Sequence, residues 1–140
     1  VFSVGTGSTT NGSVAMVAIG WAGVDFYSSF GSYEGNGNAD GPFINMGFLP
    51  NEFMIKNIDG AASWETLTTT QSPYNPASIR LRYDTTAINL TASVIGDIDS
   101  NGFKLRLAGT DFNGAATTYI YGAWGGQPMT DGSINQGRAR

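Results

Sequence analysis

A chain of 140 residues with 20 glycines, no cysteine and no histidine is long enough to close one hydrophobic core, but it has no disulfide, no thiolate metal site and no imidazole base. Charged residues make up 13% of it and the formal net charge is −4. All seven Lys and Arg lie at Lys56 or beyond, leaving Asp25, Glu34, Asp40 and Glu52 without a nearby cation in sequence, a distribution that repels phosphate and argues against nucleic acid or a membrane surface as partners.

The first five residues alternate loosely and read as a short strand, followed by a Gly, Thr and Ser turn or linker over residues 5–12. Residues 14–21 carry apolar side chains on both faces of a predicted strand, as in a central strand or one at an oligomer interface. This apolar run ends at Ala22, is broken by Gly20, and falls short of the roughly 20 residues of a membrane span. An aromatic and serine-rich stretch, residues 25–33, leads into a polar loop over residues 31–42, the densest cluster of turn-forming residues in the chain.

Residues 42–49 read as a strand stopped by Pro50. Residues 52–58 place Phe53 and Ile55 on one face and Met54 and Lys56 on the other, and after a turn at Asp59-Gly60 a return strand is predicted over residues 64–70. Residues 71–78, with Pro73 and Pro76, read as an ordered loop. Residues 79–83 alternate apolar and basic, the pattern of a half-buried strand with one wet face. A strand over residues 88–95, the turn Ser100-Asn101-Gly102, a second apolar–basic alternation over residues 103–107 and an aromatic strand over residues 117–124 complete the chain before a polar tail. About nine short strands at regular spacing, with no convincing helix, predict an all-β fold. The expected architecture is an antiparallel β-sandwich, jelly-roll or concanavalin-like, or a partly closed barrel.

Two loops carry oxygen-bearing side chains at alternate positions, as calcium loops do. In the first these are Glu34, Asn36, Asn38 and Asp40; in the second, Asp97, Asp99 and Asn101 match the first half of an EF-hand loop, but Ala108 stands where the bidentate Glu belongs. Asx side chains closing their own turns explain both loops without a metal. A glycosidase needs two carboxyl groups roughly 5–10 Å apart. Glu65 beside Trp64 is the best acid in sequence, but nothing pairs it with Glu34 or Glu52, so no catalytic residue is assigned. Trp21, Trp64 and Trp124 with Tyr74, Tyr119 and Tyr121 offer faces on which a sugar ring can stack, although core packing claims the same residue types. Tyr119 and Tyr121 share a strand face opposite Ile120, so one face is expected to be buried and the other free. Arg80, Arg82, Lys104 and Arg106 can line up on neighbouring strands and pair with carboxylates, and a solvated sheet face or a subunit interface explains them equally. Sequons at Asn11 and Asn89 matter only in a secretory host.

The run from Gly31 to Pro42, then Gly47-Phe48-Leu49-Pro50, Met54-Ile55-Lys56-Asn57, Ser100 to Arg106 and Thr118-Tyr119-Ile120-Tyr121, resembles a domain of marine tailed-bacteriophage structural proteins. The likeness covers residues 31–140, leaving residues 1–30 as a connecting or subunit-clasping segment. It implies a non-enzymatic virion component, a tail fibre, spike or capsid decoration displayed on the particle surface. Its implied partners are other virion proteins, further copies of itself (a trimer is favoured) and a host-surface glycan. The alternative from the residues alone is a carbohydrate-binding module, with calcium assisting.

Overall fold

A computed structural model describes residues 5–12, 15–86 and 90–126. After a single helical turn at Ser8–Asn11, the described chain is built of strands: β1 (Ser28–Gly35), β2 (Phe43–Asn45), β3 (Pro50–Asn57), β4 (Trp64–Thr68), β5 (Ala77–Arg82), β6 (Leu90–Asp99), β7 (Gly102–Leu105) and β8 (Thr117–Gly125). They form one eight-stranded sheet in the order β1-β8-β3-β4-β5-β6-β7-β2, and every neighbouring pair is antiparallel. Strands β3 to β7 follow one another as a meander, while β8 returns from the far end to lie between β1 and β3. No helix among the described residues is long and apolar enough to cross a membrane.

The period-two patterning places the core. Phe53 and Ile55 of β3, Phe103 and Leu105 of β7, and Tyr119 and Ala123 of β8 are buried, while Met54, Lys56, Lys104 and Ile120 between them are not. The sheet curls on itself so that the rings of Phe53 and Phe103, from strands far apart in its order, meet with centroids 4.7 Å apart. Gly102 is required where β2 meets β7, because a Cβ there would lie 2.1 Å from the carbonyl oxygen of Ile44.

Several predicted elements are redrawn. Residues 15–21 form no strand and lie exposed, pairing with no strand among the described residues. The short strand expected over residues 1–5 falls almost wholly outside the described residues, as do the start of the strand expected from residue 88, the sequon asparagine Asn89 and the tail from residue 127. The loop expected over residues 31–42 is half strand: β1 runs to Gly35 against β8, and only residues 36–42 turn. The strand expected over residues 42–49 shrinks to Phe43–Asn45. There the Asn45 side chain accepts from the Gly47 N–H, and Gly47 takes a positive φ of 76°. Pro50 does not stop a strand but opens β3, the strand position at which a missing N–H is tolerated.

Tyr119 is the anchor of the long β7–β8 connection. Its ring lies fully buried and stacks on Tyr33 at 5.0 Å, its hydroxyl donates to the Thr110 carbonyl at 2.6 Å, and it accepts from the Gly114 N–H at 2.8 Å. Burial pushes the hydroxyls of both Tyr33 and Tyr119 up from the ordinary phenol range, so they act as donors at any physiological pH. Replacing Tyr119 with Phe keeps the ring and leaves the buried Gly114 N–H unpaired, while the Thr110 carbonyl keeps its bond from the Asn57 side chain. The expected cost is about 1–3 kcal/mol in urea unfolding. An unchanged midpoint would show that the hydroxyl is not holding this connection.

Candidate functional site

The outward face of the β1-β8-β3-β4 half of the sheet is set by register. Across the strands, Phe30, Gly122, Met54 and Thr66 form one row. Ser32, Ile120, Lys56 and Trp64 form a second row, and Ser28, Trp124, Glu52 and Thr68 a third. Gly122 is the floor. A Cβ there would come within 3.0 Å of the Trp124 ring and 3.1 Å of the Phe30 ring, so its absence lets those rings meet edge to face over the strand at 5.4 Å. Trp21, brought over the sheet by the preceding segment, completes a three-ring cluster. It is nearly parallel to Phe30 at 6.2 Å and edge-on to Trp124 at 6.0 Å.

This cluster separates two recesses. One is a cleft of about 540 Å³ among Trp21, Tyr27, Asn51, Glu52, Met54, Tyr83 and Trp124. At its polar end the Tyr83 hydroxyl donates to the Glu52 carboxylate, and the Thr69 hydroxyl donates to the Asn51 side chain. Desolvation first, then the hydrogen bond to Glu52, pushes the Tyr83 hydroxyl up and keeps it a donor. The other recess, about 250 Å³, is almost wholly apolar and runs past Met54, Trp64, Ile120 and Gly122. Flat ring faces beside a carboxylate and an amide suit a ligand with one apolar face and a rim of hydroxyls. Among the described residues Glu52 is the one carboxylate lining the cleft.

The residues singled out in sequence are scattered by the fold. Trp64, Tyr121 and Trp124 line the two recesses, but Tyr119 is core and unavailable to a ligand. Tyr74, 82% exposed, sits outside both recesses, on a loop that Asn75 ties to Ile98 of β6 through two hydrogen bonds. Phe30, Met54, Tyr83 and Glu52 were not legible as site residues. Glycine at 122, between Ile120 and Trp124 on the outward face of β8, is the signal that a ring from a neighbouring strand crosses there.

Both oxygen-rich loops are closed by their own bonds. Asn36 and Asn38 side chains accept from the backbone N–H groups of Asn38 and Asp40, and the buried Asn113 both accepts from Asn36 N–H and donates to Asn36 Oδ1 and the Asn38 carbonyl. The Lys104 ammonium lies 2.7 Å from the Asp40 carboxylate, and its hydrogen bond holds that carboxyl below its ordinary range. Glu34 stands on β1, before the loop. In the second loop Asp97 pairs with Arg106 at 2.7 Å, and Asp97 and Asp99 belong to β6. Among the described residues no group of three or more His, Cys, Asp or Glu is placed to hold a metal ion.

Arg80 and Arg82 do not form a wet face. They turn toward Glu65, 1% exposed, whose Oε1 lies 2.6 Å from Arg82 Nε and 3.3 Å from Arg80 Nη1, while Asp111 Oδ2 takes the same guanidiniums at 3.2 and 2.8 Å. Arg80 also lies over the Phe112 ring at 5.2 Å. Two cations and two anions cancel in this partly buried cluster, which makes Glu65 structural here. Burial pushes its carboxyl up despite the opposing Arg82 and Arg80.

These features define an all-β domain with an exposed aromatic face and internally neutralised charge. The chain belongs to the family described as a domain of unknown function, DUF7483, whose model matches residues 1–128. No curated protein and no solved structure matches it.

Removing one member of the ionic cluster by Glu65→Ala leaves Arg80 and Arg82 sharing Asp111 alone, at an expected cost of about 1–3 kcal/mol. The pH dependence has a defined sign. A carboxyl whose folded pKa is raised contributes stability that is fully present below its unfolded pKa and is lost as pH rises through the folded value. Wild type should therefore gain on Glu65→Gln in urea unfolding as the pH is lowered from about 7 to about 4. A gap that moves the other way would show that the two arginines outweigh burial at Glu65.

Proposed function

We propose that this domain is a non-enzymatic structural component of a tailed-bacteriophage virion. It would be a fibre, spike or capsid decoration displayed on the particle surface, with its outer aromatic face making contact with a glycan of the host surface. The motif likeness supplies the viral part of the reading. The binding part rests on one observation: the Trp21, Phe30 and Trp124 rings stand beside an open cleft whose polar end carries Glu52 and Tyr83. Stacking offers a contact that tolerates many sugars, while the carboxylate and amide select hydroxyl geometry. Commitment of Glu65 to two arginines and the isolation of Glu52 in the cleft support binding over hydrolysis.

The curled sheet, with β3 against β7, supports a two-layered sandwich of jelly-roll or concanavalin-like kind. Other virion proteins and further copies of the chain are the assembly partners in this reading. A carbohydrate-binding module working outside a virion would use the same cleft. Pairing of Asp40 with Lys104 and of Asp97 with Arg106 supports a metal-independent contact in either case.

The test is an array of bacterial surface polysaccharides probed with the purified chain, followed by titration of each hit against variants. Trp124→Ala and Glu52→Gln should each weaken binding roughly tenfold, the scale of one stacking or charged hydrogen-bond contact, while Tyr74→Ala leaves it unchanged. Failure of every polysaccharide to bind, or equal binding by all three variants, removes the reading.

A further inference from the structure

Residues 15–24 contain no charge and no regular structure, and their apolar side chains point to water: Val17 is 91% exposed, Ile19 72% and Met16 50%. So long an uncharged apolar stretch is costly to leave in solvent. Its ties to its own sheet are few. Trp21 rests on Phe30 and Trp124, and a tight turn bonds Val24 to Ser28 through both backbone N–H groups, with the Ser28 hydroxyl reaching the Val24 N–H and the Ala22 carbonyl. That turn is strained, since Phe26 at its tip has a positive φ of 61°, a region that bulky L side chains avoid, and is itself exposed.

We infer that residues 15–22 are an exchange arm, which swings out about the 24–28 turn and lays its Trp21 on the Phe30–Trp124 pair of a second copy of this chain. The occupant is a second copy because the seat is already matched to this ring: each chain carries both the arm and its receptor, so a reciprocal exchange reproduces the closed contacts twice. Opening the turn releases the strain at Phe26. The apolar recess beside the seat, between Met54, Trp64 and Ile120, and the open outer edge of β1 lie where the arm's remaining apolar residues can be covered. This inference does not depend on what the cleft at Glu52 binds.

Sedimentation of the full chain over a concentration series tests it with substitutions at Phe26, which lines neither aromatic recess. Phe26→Gly accepts the positive φ without strain, holds the arm closed, and should weaken self-association roughly three- to tenfold. Phe26→Pro cannot adopt that φ, forces the turn open, and should strengthen association by a similar factor. Deletion of residues 1–22 should leave a monomer, and wild-type chains carrying donor and acceptor dyes on their arms should exchange on mixing. A mass that is the same for all of these chains, monomeric or assembled, overturns the inference. In the monomeric case the arm is left to a different protein or to a glycan, and in the assembled case another surface holds the copies together.

Discussion

Insertion of β8 between β1 and β3 requires that one strand serve two environments, and the rest of the structure follows from how its residues alternate. Tyr119 and Ala123 enter the core, and Tyr119 also pins the long connection through Thr110 and Gly114. Between them, Ile120, Gly122 and Trp124 face outward, and the missing side chain at Gly122 shapes the aromatic face. A register shift of one residue would exchange these two sets, burying Trp124 and exposing Tyr119, so the core and the candidate site are fixed together.

Charge is handled internally. Among the described residues, Arg80, Arg82, Lys104 and Arg106 each meet a carboxylate, and the Lys56 ammonium donates to the carbonyls of Asn57 and Ala62. The exposed pairs contribute little to stability on their own, whereas the cluster around Glu65 sits where desolvation makes each partner depend on the others.

The same face contains a competition. Trp21 belongs to a poorly anchored apolar segment, and its ring helps build the cleft beside Glu52. Any movement of that segment therefore reshapes the recess, so the proposed assembly and the proposed ligand contact would be coupled through one tryptophan. Coupling of this kind needs no long pathway, because a shared side chain contributes to both equilibria.

The sequence by itself determined the all-β class, the alternation of faces along β3 and β8 and the tight turn at Ser100 to Gly102, because period-two alternation and turn chemistry are local properties. It left Tyr119 as a candidate ligand contact, Arg80 and Arg82 on a wet face, and residues 14–21 as a strand. Each of those depends on which strand lies alongside, and pairing between β8 and β1 joins residues about ninety positions apart. Asn113, buried at the centre of the 36–42 loop, carries no local signal at all. Only the tertiary structure decided that Trp21, Phe30, Trp124 and Glu52 share one surface, since their proximity is set by strand order, a long-range property on which local patterning is silent.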